Sequence, residues 1–362
     1  MNIKPLFNIT LAIASAMAFS ACSDDNNDNP DPIIDPVETA GLYVINQGNF
    51  GASNSSISFY NPTDDKVTND VFYTANNIPA GANAQSMTIV GDNAWIVINN
   101  SHIVYKADPA TLKLKGSIEG INSPRYFHQV SDTKAYVTKL NSNTIAIVDP
   151  STCKVTGEIE VPGMDATLGS TEMMEQVGKY VYVNCWSYQN SVIRIDTTTD
   201  KVDASLEVGL QPKSMVKDKN NNLWLLTDGS YEGSPVGHEE PRLVKVTTAD
   251  FKVAETFVMN LNDYTPSLAI NGEGDQLYWI CNDVYTMSIN DKALPSTALI
   301  DCGGNYYYGL TVDPLTSDIY IADAIDYVQA GRLLRYTSKG SPINTVNVGI
   351  CPQGFCWYLT TK

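Results

Sequence analysis

Apolar and polar positions recur along this chain in a unit that appears seven times. The clearest part of the unit is a short aromatic-aliphatic run. It reads Leu42-Tyr43-Val44-Ile45-Asn46, then Ala94-Trp95-Ile96-Val97-Ile98-Asn99, Ala135-Tyr136-Val137 and Val181-Tyr182-Val183-Asn184. Leu223-Trp224-Leu225, Leu277-Tyr278-Trp279 and Ile319-Tyr320-Ile321 complete the series. The copies lie roughly 40 to 55 residues apart, the period of propeller blades. A second run follows each copy, as in Ser56-Ile57-Ser58-Phe59-Tyr60, Ile145-Ala146-Ile147-Val148 and Leu333-Leu334-Arg335-Tyr336. Turns such as Asp149-Pro150-Ser151-Thr152 and Asp196-Thr197-Thr198-Thr199 close it, with Asp and Pro presetting the turn. A third run opens on Lys-Val or a relative, for example Lys66-Val67, Lys154-Val155 and Lys252-Val253. The fourth follows a loop that often carries proline: Pro124-Arg125-Tyr126-Phe127, Pro212-Lys213-Ser214-Met215 and Pro352-Gln353-Gly354-Phe355. Four short strands in each of seven units, rich in β-branched and aromatic residues, predict an all-β, seven-bladed β-propeller. No long amphipathic helix pattern competes.

The chain ends set the register of the ring. If the proline-preceded strand is innermost in each blade, the chain ends on an innermost strand, Phe355 to Leu359. It begins on a second strand, Leu42 to Gln47. The C-terminal strand is therefore expected to complete the N-terminal blade and leave no open edge at the seam.

Strands of a meander alternate in direction, so alternate loops share a face. One face receives short polar turns such as Asp108-Pro109-Ala110, Asp132-Thr133 and Lys219-Asn220-Asn221. The opposite face receives longer, aromatic loops. These carry Asn49, Phe50, His102, Trp186, Tyr188, Tyr231, His238, Tyr307 and Tyr327. Functional loops on a rigid scaffold are the general rule. Aromatics mixed with Asn, Ser, Gly and Gln make an adaptable binding surface. Aligned innermost strands add a ring at the channel mouth, formed by Gln85, Arg125, Glu172, Lys213, Tyr308 and Gln353, with Tyr126 beside Arg125. The blade containing Pro266 has no clear match. Such mixed donors and acceptors suit a large neutral or zwitterionic ligand.

The first residues read as a signal peptide, 1–21: Lys4, an apolar run from Leu6 to Phe19, then Phe19-Ser20-Ala21-Cys22. The apolar run is too short for a spanning helix of roughly 20 residues. The cysteine after small residues resembles a bacterial lipobox, with Phe19 where Leu is more usual, and implies lipid attachment at Cys22. Ser23 to Pro36 is rich in Asp, Asn and Pro and cannot bury a core, so 22–40 is expected to be a solvated tether. The propeller is expected over 41–362. The Cys-Ser-Asp-Asp start resembles the acidic export signal of Bacteroidetes surface lipoproteins. It implies an outer-membrane, cell-surface location held only by the lipid anchor, with a periplasm-facing lipoprotein as the alternative.

Composition narrows the chemistry. A formal net charge of −17 disfavours nucleic acid, whose phosphates want a basic patch. Three histidines and no HExxH motif leave His238-Glu239-Glu240 as the one local cluster that could hold a metal, and it reads better as a solvated loop. No metal and no cofactor is expected. Six cysteines besides Cys22 allow disulfides, with Cys281–Cys302 and Cys351–Cys356 as candidate pairs, or buried free thiols.

The strand Tyr43-Val44-Ile45-Asn46, its relatives, and Gly209-Leu210-Gln211-Pro212 resemble the YVTN/YncE-like propeller repeats. That resemblance covers nearly all of 41–362. With the lipobox and the acidic start, the pattern resembles the BtuG group of Bacteroides surface lipoproteins. That resemblance implies capture of vitamin B12 (cobalamin) and related corrinoids, and delivery to a TonB-dependent outer-membrane transporter of the BtuB type. On that reading aromatic residues pack the corrin ring, amides answer its peripheral amides, and Arg125 or Lys213 meets its phosphate. The chain is then not an enzyme. Two other readings stay open. One is a scaffold that docks on an outer-membrane complex. The other is a lactonase or lyase using Glu172, Asp228, His238 or Glu239.

Overall fold

The computed structural model describes residues 37–361. The expected leader, Cys22 and the tether up to residue 36 lie outside the described residues. Seven small antiparallel sheets form, six of four strands and one of three. Each innermost strand touches the next, and the seventh touches the first, so the ring closes. This is the seven-bladed β-propeller that the repeat predicts.

The seam lies in blade 1. Its innermost strand is the C-terminal one, Pro352–Thr361, paired antiparallel with Val37–Asn46 from Val37↔Thr361 to Asn46↔Pro352. The strand starts at Val37, not Gly41. Val37–Ala40, which the sequence places in the tether, therefore belong to the sheet, because the C-terminal strand offers them partners as far as Thr361. Asn49 Nδ2 also donates to the carbonyls of Tyr327 and Val328 of blade 7, at 3.2 and 3.1 Å. Gly309 sits where the innermost strands of blades 7 and 1 meet. A Cβ there would lie 2.2 Å from the Gln353 carbonyl oxygen, so only glycine permits that approach.

The aromatic-aliphatic runs are the second strands, and they are buried on both faces. Seven apolar clusters fill the seven inter-blade spaces. The recurrent aromatic also ties its blade to the next. Tyr43 Oη donates to the Pro109 carbonyl at 2.6 Å, Tyr182 Oη to the Thr248 carbonyl at 3.3 Å, and Tyr136 Oη to Asp200. The receiving turns hold a left-handed residue at one repeated position: Asp65, Leu112, Cys153, Asp200 and Phe251. A bulky residue there is strained. Leu112 and Phe251 persist because their side chains are buried in the inter-blade clusters.

Blade 6 departs from the pattern. Its innermost strand is only Leu268–Ile270, and no fourth strand follows Asp283–Ser288 among the described residues. One short helix, Val71–Asn76, buries Phe72 against the space between blades 1 and 2. All six described cysteines are free thiols. The candidate pairs do not form. Cys281 packs in the space between blades 5 and 6, whereas Cys302 packs between blades 6 and 7. Cys351 Sγ approaches Gln47 Oε1 at 3.4 Å, whereas Cys356 is buried between blades 1 and 2.

Candidate functional site on the upper face

The residue at the start of each innermost strand is aimed at the ring centre by the strand that carries it. Gln85, Arg125, Glu172, Lys213, Tyr308 and Gln353 all line one central cavity of about 440 Å³, together with Tyr126, Trp186 and Phe50. The seventh position, without a match in the sequence, is Ser267, which follows Pro266 as Arg125 follows Pro124. Its Oγ accepts the Leu310 backbone N–H at 3.1 Å. The Pro-Ser pair was the signal, and the three-residue strand after it hid the register.

A second cavity, about 480 Å³, opens beside the first over blades 4 to 6. Tyr188, Tyr231 and His238 line it, with Gln211, Asn262 and Tyr264. Trp186 and Lys213 line both cavities, so the two adjoin at these side chains. An aromatic ridge continues from Tyr308 through Tyr327 and Tyr306 to Tyr264, with ring centroids 5.1 to 5.4 Å apart. Tyr188 and Tyr327 hold left-handed backbones at φ 56° and 63°. For tyrosine that is strain of order 1–3 kcal/mol, of the kind found at binding sites.

The charges at the mouth are unequally matched. Arg125 Nε donates to both oxygens of Glu172 at 3.0 and 2.9 Å, and its Nη1 donates to Gln85 Oε1 at 2.6 Å. Glu172 is 2 % exposed and also accepts from Ser170 Oγ. Burial pushes the hydroxyls of Tyr126 and Tyr308 up to about 12, so both are neutral donors. Lys213 differs from Arg125. Its Nζ lies 5.5 Å from the Trp186 ring and 5.9 Å from the Tyr308 ring. Burial and the nearby Arg125 charge lower its pKa, against the pull of Asp228 and Glu172.

The candidate catalytic carboxylates are engaged elsewhere. Asp228 accepts from Trp186 Nε1 and Gln211 Nε2, both at 2.9 Å. Glu239 accepts from the Leu210 backbone N–H at 2.7 Å and from Arg242 at 2.9 Å. Three expected binding residues also do other work. Tyr307 is a core residue, with its hydroxyl 3.2 Å from that of Tyr336. His102 is an exposed loop clasp whose Nδ1 accepts the Ser123 N–H at 2.9 Å. Asn49 closes the seam. Phe50 stands at the cavity rim, 99 % exposed. Asp283, Asp301 and Cys302 form a group able to hold a metal, with ligand atoms within 4.8 Å of one another. None of the three lines either upper cavity.

No curated protein matches this chain in sequence. Several solved propellers resemble it in fold. A quinonprotein alcohol dehydrogenase-like protein from Bacteroides thetaiotaomicron aligns at a TM-score of 0.65 and 14 % identity, over 88 % of this chain and 78 % of that one. A protein from Lactobacillus plantarum gives 0.65 and 11 %, over 89 % and 100 %. Apo AztD from Citrobacter koseri gives 0.55 and 10 %, over 90 % and 100 %. At such identities the likeness extends to the fold alone. The model of DUF5074, a domain of unknown function, matches residues 40–351, and the chain is a member of that family.

Proposed function

We propose that this protein captures a corrinoid on its upper face and passes it to a TonB-dependent outer-membrane transporter, from a lipid anchor at Cys22 on the cell surface. The observation that carries the reading is the pair of adjoining cavities. Their walls alternate aromatic faces (Trp186, Tyr188, Tyr308) with amide and hydroxyl groups (Gln85, Gln353, Gln211, Ser267). A corrinoid presents a broad apolar plane with amides at its edge. The rings cover the plane, and the amides exchange hydrogen bonds that would otherwise be lost on burial. A closed ring of blades limits the ordering cost of binding. The reading is binding without catalysis, and it is supported by the engagement of Glu172, Asp228 and Glu239 with Arg125, Trp186 and Arg242.

A second reading, docking on an outer-membrane complex, is favoured by one observation. Phe50, Tyr231, Tyr306 and Val328 are all exposed on the loops of this face. Single exposed apolar residues are ordinary, but several on one functional face suit a partner surface.

Calorimetric titration of the purified protein with cyanocobalamin tests the proposal. One-to-one binding, weakened at least about tenfold by Trp186→Ala or Tyr308→Ala, is the expected outcome. Binding unmoved by both changes removes the site, and absence of binding removes the ligand and leaves the docking reading.

A further inference from the structure

The two cations at the channel mouth differ in a way that selects the ligand's charge. Arg125 is neutralised by a buried carboxylate. The other cations drawn into the fold are answered too: Lys139 by Glu158, Lys245 by Glu255, and Arg335 by Asp318 and Asp65. Lys213 has no such answer among the described residues. Among the described residues its Nζ has no hydrogen-bond or ion-pair partner, and it stands 5.5 and 5.9 Å from the ring centroids of Trp186 and Tyr308. Asp228, whose charge acts on it, has already accepted from Trp186, Gln211 and the Ser230 N–H.

Lys213 is half-buried, and an ammonium partly withdrawn from water with three donors and no protein acceptor is costly. Two ring faces offset that cost in part, through their quadrupoles. They also leave the N–H groups free to point into the adjoining cavities. Such a cation is completed by an anion arriving with the ligand.

We infer that Lys213 is the seat of a single anionic group, a phosphate ester or a carboxylate, carried by the ligand at the junction of the two upper cavities. Trp186 and Tyr308 then flank the anion and pack the apolar parts on either side of it. A ligand spanning both cavities must pass over Lys213, so its anion sits between its two ends. Arg125 does not share this task, since taking a ligand anion would mean breaking its pair with Glu172. The inference deepens the capture reading, because it rests on the upper cavities being the binding site.

The test uses small aromatic probes, read by line broadening of the probe's NMR signals with the purified protein. Phenyl phosphate and benzoate offer the two candidate anions, and benzamide is the neutral control. The wild type should bind one of the anions, Lys213→Met should weaken it at least about tenfold, and Lys213→Arg should restore it. Benzamide should not distinguish the variants. Preference for phenyl phosphate or for benzoate identifies the group. Equal binding of both anions by wild type and Lys213→Met overturns the inference, as does absence of binding of either by the wild type at millimolar concentration. Cyanocobalamin titration separates this from the capture reading. Cyanocobalamin bound equally by wild type and Lys213→Met removes the seat and keeps the corrinoid. Anion binding that depends on Lys213, without any cyanocobalamin binding, keeps the seat and removes the corrinoid.

Discussion

The innermost strands of blades 3, 4 and 5 carry charged residues in two tiers, and the tiers are balanced differently. The upper tier is Arg125, Glu172 and Lys213. Three or four residues further along the same strands come His128, Glu175 with Gln176, and Lys217. In the lower tier the groups satisfy one another. His128 Nε2 lies 3.0 Å from Gln176 Oε1, and Lys217 Nζ donates to the Gln176 carbonyl at 2.9 Å and lies 3.6 Å from Glu175. In the upper tier one pair is satisfied and Lys213 is left over. Burying a charge without a partner gains the fold nothing. The difference therefore separates a tier that serves folding from a tier that keeps one group for a ligand.

Arg125→Met should do the most damage. It strands the Glu172 carboxylate in a buried site and should cost about 3–5 kcal/mol of stability, read from the denaturant midpoint. Adding Glu172→Gln should recover much of that loss; a loss unchanged in the double variant would mean that the pair is not the cause. Lys217→Met should cost less, about 1–3 kcal/mol, because it leaves the Gln176 carbonyl without its donor and Glu175 without a counter-charge.

A pH titration sharpens the lower tier. Burial holds the His128 pKa below its ordinary 6.5, with the Lys217 charge acting the same way and the Gln176 hydrogen bond opposing. The folded state then keeps this ring neutral where the unfolded chain would protonate it. Its contribution is complete above about 6.5 and declines as pH falls below that value, by at most about 1.4 kcal/mol per pH unit. Burial raises the pKa of Glu175 and acts in the opposite sense on acidification, so the difference between wild type and His128→Gln isolates the histidine. Equal slopes of thermal midpoint against pH in the two proteins would remove the assignment. Lys213→Met should cost no stability, with a midpoint equal to or above that of wild type, since no folded-state ion pair is lost and an unpartnered, partly desolvated charge is removed. A loss as large as that of Lys217→Met would make the two tiers equivalent.

The innermost-strand position of six mouth residues was legible in the sequence, because a proline marks it in three blades (Pro124, Pro212 and Pro352) and the blade repeat carries the register to Gln85, Glu172 and Tyr308. Ser267 was hidden by the short strand of blade 6, and Tyr264 lies in a loop with no repeat to mark it. Tyr307 and Tyr308 look alike in sequence. Strand alternation sends the first into the core and the second to the cavity.

The seven blades, the closure by the C-terminal strand and the face bearing aromatic loops can all be read along the chain. Each is written in local periodicity or in the position of the ends. Which charges neutralise one another is settled by how the blades pack. Arg125 and Glu172 lie on separate strands 47 residues apart, and Trp186, Lys213 and Tyr308 come from three blades. A repeat fixes where a residue stands in its own blade. The partner it meets is set by the packing of the next blade against it.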